Sequence, residues 1–133
     1  MTSEVKARLV VVVCGGRHYT DRAFVYKTLN LLRAECRSLV IIEGGCKSGA
    51  DAFAQAWAKS KRYTEPIELI TEEVTKEAWI MHGHAAGPMH NRRMLEEYYP
   101  DLVIAFEGGR GTKSTIEIAR ELGIEVRQPK RQQ

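Results

Sequence analysis

The sequence has no long apolar run. The longest, Leu9 to Cys14, is six residues, against about 20 for a membrane span, which excludes a bilayer-crossing helix. Cysteine is scarce: Cys14, Cys36 and Cys46 are odd in number and show no CxxC spacing, so neither a disulfide framework nor a thiolate zinc site is expected and the thiols should be reduced. Charge of one sign is lacking as well, with 20 Lys+Arg against 17 Asp+Glu for a net +3. Basic residues such as Lys59, Lys61 and Arg62 read as solvated helix faces. Without a basic stripe interleaved with aromatics, a nucleic-acid partner is not expected. The start, Met1-Thr2-Ser3-Glu4-Val5-Lys6, carries an acid and lacks the apolar region of a signal peptide, so the expected location is cytoplasmic. No repeat, low-complexity tract or linker divides the chain, and one domain over residues 1–133 is expected. The polar tail, residues 128–133, should fray.

What is present has the pattern of alternating strands and helices. Leu9 to Cys14 is β-branched and apolar on both faces, as in a strand covered from above and below. Thr20-Asp21 is a capping pair before a helix with Phe24, Val25, Leu29 and Leu32 on one face. Leu39 to Ile42 repeats the strand pattern, and Gly44 to Gly49 leads into a helix with Phe53, Ala54 and Trp57 inward. Ile67 to Ile70 is a weaker third strand. The polar stretch Thr71 to Gly87, which holds Trp79, His82 and His84, reads as a long loop. Pro88 opens a helix presenting Asn91, Met94, Leu95 and Tyr98; Asp101 to Phe106 is a fourth strand. Glu107 to Thr112 opens the last helix, which Gly123 stops before a short strand, Ile124 to Arg127. This order predicts an α/β, Rossmann-like three-layer domain with a five-stranded parallel sheet in the order 3-2-1-4-5.

In such sheets ligands bind beyond the carboxyl ends of the strands, where the strand order reverses. Gly15-Gly16, Gly44-Gly45 and Gly108-Gly109 each follow a buried strand, so three glycine-rich turns should converge there. Gly108-Gly109-Arg110-Gly111-Thr112 before a helix has the makings of a phosphate cradle, with backbone amides and the helix dipole favouring an anion. Gly44-Gly45-Cys46-Lys47-Ser48-Gly49-Ala50-Asp51 is similar. The same glycines also serve tight strand-to-helix turns for steric reasons alone. Neither stretch is a P-loop, which would need Lys at Ala50, or a dinucleotide fingerprint, which would need Gly at Ser114. His82, His84 and His90 lack a carboxylate or cysteine at ligand spacing, so no metal is expected, and no cofactor. Cys46 reads as a turn-filling thiol rather than a nucleophile. Trp79 is either a base-stacking aromatic or a plug over the core.

The Gly44-Gly45 turn, the helix start Ala86-Gly87-Pro88-Met89-His90-Asn91-Arg92 and Gly108-Gly109-Arg110-Gly111-Thr112 together resemble the SLOG superfamily. The likeness is closest to its YspA, cpYpsA-related branch, and runs from about Val10 to Val126. The resemblance implies a Rossmann-like fold and a nucleotide or nucleotide-derived ligand of the ADP-ribose or nucleoside-phosphate type; related members are often dimers. Met89-His90-Asn91-Arg92-Arg93 is similar to the Met-His-Glu-Arg-Lys segment of the Lonely Guy phosphoribohydrolases, which places their active-site arginine on Arg92. Their Gly-Gly-x-Gly-Thr-x-Glu-Glu segment matches through Thr112, and its two glutamates fall on Ser114 and Thr115.

Two functions from different classes follow. The first is a sensor or binding protein holding a nucleotide-derived small molecule through Gly15, Gly16, Arg17, Gly44, Gly45, Ser48, Gly49, Asp51, Pro88, Asn91, Arg92 and Gly108 to Thr112, that is Gly108, Gly109, Arg110, Gly111 and Thr112. Arg17 and Arg92 would neutralise phosphate. The second is a hydrolase of N-glycosidic bonds, with Arg92, Glu43 and Glu107 as catalytic candidates and Asp51 as a further carboxylate. Strand order 3-2-1-4-5 would set the ends of the second and fourth strands about 10 Å apart. Glu43 and Glu107 would then face each other across Gly15-Gly16-Arg17.

Overall fold

Successive side chains of a strand point to opposite faces of the sheet, and in the central strands both sets are apolar. In the computed structural model, which describes residues 5–131, β1 (Lys6–Cys14) lies between β2 (Cys36–Glu43) and β4 (Leu102–Ala105). The flanks are β3 (Ile67–Thr71) beside β2 and β5 (Glu125–Arg127) beside β4, giving a parallel sheet in the order β3-β2-β1-β4-β5. Leu9, Val11, Val13, Leu39, Ile41, Leu102 and Ile104 share one face with α1 (Arg22–Arg33) and α2 (Gly49–Lys61). Val12, Val40, Ile42 and Val103 share the other with α4 (Ala86–Tyr98) and α5 (Arg110–Glu121). The expected Rossmann-like architecture and strand order are both found.

Local chemistry sets the helix ends. The Asp21 carboxylate accepts from the Phe24 amide at 3.1 Å and caps α1. Gly123, at φ 75°, turns the chain from α5 toward β5. Trp57 is fully buried in α2, and its indole N–H donates to Asn30 Oδ1 at 2.9 Å, which removes the cost of burying that donor. No helix among the described residues is long and apolar enough to cross a membrane.

The stretch expected as a loop is partly helical. A short helix, α3 (Lys76–His82), begins at Thr75, whose hydroxyl accepts from the Ala78 amide at 3.1 Å, and a 3-10 turn, Gly83–Ala85, joins it to α4. None of the residues of α3 is buried. A helix without an inward face carries no apolar periodicity, so the pattern could not reveal it. α4 also starts at Ala86, before Pro88. In the tail, Arg131 Nη1 reaches Asp21 Oδ2 at 2.8 Å, so residue 131 is tied to the start of α1; residues 132 and 133 of the expected frayed end lie outside the described residues. So do residues 1–4, on which the reading of the N-terminus as leaderless falls.

The turns at the carboxyl edge are knitted together at Gly16. Its amide donates to the Glu107 carbonyl at 2.9 Å, and its carbonyl accepts from Tyr19 at 3.1 Å and from Ala50 at 3.4 Å. A Cβ at Gly49 would overlap the Gly16 carbonyl oxygen and come within 2.7 Å of Arg17 Cα; one at Gly108 would overlap Thr112 Oγ1 and lie 2.6 Å from the Gly16 amide. Gly49 also sits at φ 76°, where an L side chain is strained. By contrast, a Cβ at Gly111, inside α5, would meet open space. Gly49→Ala should therefore lose on the order of 3 kcal/mol of stability, whereas Gly111→Ala should gain roughly 0.5–1 kcal/mol from helix propensity. Urea denaturation of the two variants checks the pair, and a Gly49→Ala protein as stable as the parent would contradict the close approach of α2 to the turn after β1.

Candidate ligand cleft at the sheet edge

After β1 the chain passes to α1 on one face of the sheet, and after β4 to α5 on the other. The divergence opens a cleft of about 1050 Å³ between these strand ends, which is where the strand order reverses. Its floor is Cys14, Gly15 and Gly16; one wall is the turn Arg17 to Asp21 with Gly44, Cys46 and Asp51; the other is His90, Asn91 and Met94 of α4 with Glu107 to Thr112 and Thr115. Val74 and Trp79 complete the rim.

The start of α5 leaves its backbone donors open. Its N-cap is Gly109, which offers no side-chain acceptor, and among the described residues the amides of Arg110, Gly111 and Thr112 have no hydrogen-bond acceptor. Gly109 and Gly111 leave the space above them open. Arg17 and Arg110 line the same cleft, exposed, and form no ion pair among the described residues. Asn91 reaches across from α4, its Nδ2 donating to the Gly111 carbonyl at 3.4 Å.

The cleft also carries acid and thiol groups in distinct states. Asp51, half-buried in the first turn of α2, is pushed up to about 7, first by burial and then by the charge of Glu43, against the opposing pull of backbone amides at Cys46 and Gly44. Burial, and next the Asp51 charge, push the Cys14 thiol up to about 12, so it stays protonated and unreactive near neutrality. His90 is buried, and its Nε2 lies 2.7 Å from the Glu72 carbonyl. A carbonyl only accepts, so Nε2 carries a proton and Nδ1 is the atom left to accept in the neutral ring. Among the described residues no group of three or more His, Cys, Asp or Glu is placed to hold a metal ion.

Several expected site residues are placed elsewhere. Glu43 is fully buried and does not line the cleft: its Oε1 accepts from the Gly45 amide at 2.7 Å, and its Oε2 from Gln55 Nε2 at 3.3 Å and from the Thr71 hydroxyl. Its position in β2 has the parity of Leu39 and Ile41, which directs it beneath α2. Glu107 is exposed at the cleft rim, so the expected pair does not face across the turn after β1. Arg92 turns from the cleft to Glu121 of α5, Nη2 to Oε2 at 2.6 Å. Gly45, Ser48, Gly49 and Pro88 also lie off the cleft lining; Ser48 Oγ instead donates to the Arg17 carbonyl at 2.8 Å. His90, Met94, Tyr19 and Thr115 line the cleft in addition to the residues expected to hold a ligand. For His90 a signal existed in its spacing of four residues from Ala86 and from Met94, all buried.

The sequence profile of the YspA, cpYpsA-related SLOG family matches residues 9–71. The chain is 34% identical over 119 residues to the Gene 61 protein of Mycobacterium phage D29, an alignment covering 87% of this chain and 92% of that one. Among solved structures, the C-terminal domain of a Pyrococcus furiosus hydrogenase is similar at TM-score 0.51 and 14% identity, covering 96% of this chain and 94% of that chain. A UDP-N-acetylglucosamine 2-epimerase is similar at TM-score 0.51 and 16% identity, over 92% of this chain and 33% of that one. These two likenesses are likenesses of fold.

The state of Asp51 has a measurable consequence. Folded, it keeps its proton up to about pH 7, while unfolded it would lose it near pH 4. Between those values the native state binds more protons, so this group lowers stability as pH rises, and its full cost is present above pH 7. Asp51→Asn, whose amide oxygen still accepts from the backbone, should gain on the parent by roughly 1–3 kcal/mol between pH 4.5 and pH 8, a figure below the full linkage value because the group is half open to water. Denaturation curves at the two pH values read the difference; a gap that does not change with pH would contradict it.

Proposed function

The chain belongs to the YspA, cpYpsA-related SLOG family, and from that premise we propose that it binds a nucleotide or nucleotide-derived small molecule in the cleft at the carboxyl edge of the sheet, as a sensor or ligand-binding protein. The observation that carries this reading is the rim formed by Arg17, Arg110 and the start of α5, where two guanidinium groups without carboxylate partners among the described residues accompany three amides without acceptors. Such a rim suits phosphate, because arginine meets its oxygens in bidentate fashion and the helix dipole adds to the attraction. Glu107 on the same rim suits the hydroxyls of a ribose, which donate to a carboxylate. Arg92 is left out of this reading, since Glu121 holds its guanidinium.

Asp51 favours a second reading, hydrolysis of the N-glycosidic bond of the bound molecule. A carboxyl group that titrates near neutrality inside a cleft can give its proton to a departing base while water adds to the anomeric carbon.

Calorimetry with AMP and ADP-ribose tests binding. Gly111→Val should fold and lose the ligand, since a branched side chain would fill the space before the α5 amides. Arg17→Ala should cost about 1.5–3 kcal/mol of binding, and Arg92→Ala should bind as the parent does. A folded Gly111→Val protein with unchanged affinity would overturn the phosphate role of this turn. Chromatographic detection of free base after incubation with AMP or NAD separates the two readings. Hydrolysis requires base release by the parent that Asp51→Asn loses by at least about a hundredfold while still binding, and a parent that binds without releasing base is a binding protein.

A further inference from the structure

The two tryptophans of the chain sit in opposite circumstances. Trp57 is completely buried with its indole N–H satisfied by Asn30. Trp79 is 48% exposed on a helix that buries nothing, yet it lines the cleft beside Val74. It does not plug the core: neither buried apolar cluster includes it. Among the described residues its ring pairs with no other aromatic ring and no cation. Gly87 of α4 stands beside the indole edge, where an added Cβ would lie 3.9 Å from the ring, at ordinary contact distance. Removing a ring this large from water requires a partner, and α3 offers none from the protein itself.

We propose that Trp79 is the stacking platform for the planar base of the ligand. The inference rests on the nucleotide reading of the cleft and adds the subsite for its base. The cleft lining then offers two unlike kinds of group: arginines and unpaired amides at the α5 start for phosphate, and the apolar side chains of Trp79, Val74 and Met94, of which Trp79 is the exposed ring. A volume of about 1050 Å³ accommodates both halves of one nucleotide. Stacking on an aromatic face is tolerant of base identity, because every base presents a π-surface. The subsite should therefore select nucleotides over sugar phosphates more strongly than it selects among bases.

Titration of the full chain with ribose 5-phosphate, AMP, GMP and UMP, in the parent and in Trp79→Ala and Trp79→Phe, tests this. The expected result is that the parent binds the nucleotides more tightly than ribose 5-phosphate. Trp79→Ala should then lose about tenfold or more for the nucleotides and nothing for ribose 5-phosphate, with Trp79→Phe retaining most of the affinity. AMP should quench the parent's tryptophan emission and leave that of Trp79→Phe, which comes from Trp57 alone, unchanged. If ribose 5-phosphate binds and the nucleotides bind no tighter, or if Trp79→Ala weakens both alike, the stacking role is overturned while the phosphate site stands. If the parent binds none of the four, the nucleotide reading of the cleft fails and the stacking role with it. Because α3 buries no residue, the Trp79 variants should keep the parent's melting temperature, which confirms that any loss is local.

Discussion

The carboxyl edge of the sheet depends on the packing of three turns around Gly16. The Gly16 amide is held by Glu107 at the end of β4, its carbonyl faces the first turn of α2, and the backbones come too close at Gly49 and Gly108 for a side chain on either. Glycine is needed in these places for contact between protein segments. That contact fixes where α2 and α5 begin, and so where the unpaired amides of α5 and the Asp51 carboxyl stand. Gly109 and Gly111 are different, since the space around them is open.

This division explains what could be read from the sequence. The layers were legible because continuous β-branched runs bury both faces of a strand and helical apolar spacing buries one face of a helix, and strand order followed from the rule for doubly wound sheets. The convergence of the glycine turns was legible from their place after each strand. Whether a glycine is required by close packing was not, since Gly49 and Gly111 look alike in sequence and only the neighbouring backbone distinguishes them. Glu43 shows a signal that was available: it continues the parity of Leu39 and Ile41, and that parity points under α2, where Gln55 and Thr71 hold it. Arg92 had no such clue, because its partner Glu121 lies on a different helix, 29 positions away. α3 escaped for the opposite reason, as a helix whose exposed apolar residues, Trp79, Ile80 and Met81, follow no inward stripe.

The electrostatic plan of the cleft is a separation of roles. Cations stand on its rim without acidic partners among the described residues, while Glu43, the most deeply buried carboxylate, is fully hydrogen-bonded behind the wall. Between them Asp51 feels both the burial and the Glu43 charge, and is a carboxyl whose protonation responds to conditions near neutrality. An anion bound near the rim would oppose ionisation of Asp51 further, so occupancy and proton uptake at this carboxyl are thermodynamically linked.

The position of β1 at the centre of the sheet also governs assembly during synthesis. β1 can pair with β2 once about a third of the chain exists, but its other edge is covered only by β4, with Val11 beside Leu102 and Cys14 beside Ala105. The Asp101 carboxylate that receives the Val10 amide at 2.8 Å is 91 residues distant in the chain. Until that segment leaves the ribosome, a valine-rich strand presents an uncovered edge, the kind of surface that recruits foreign strands. The Gly16 amide likewise has no acceptor before Glu107 is made. The floor of the cleft thus cannot be completed before β4 and Glu107 are made, and a chain that stops short of β4 leaves an edge of β1 open to foreign strands.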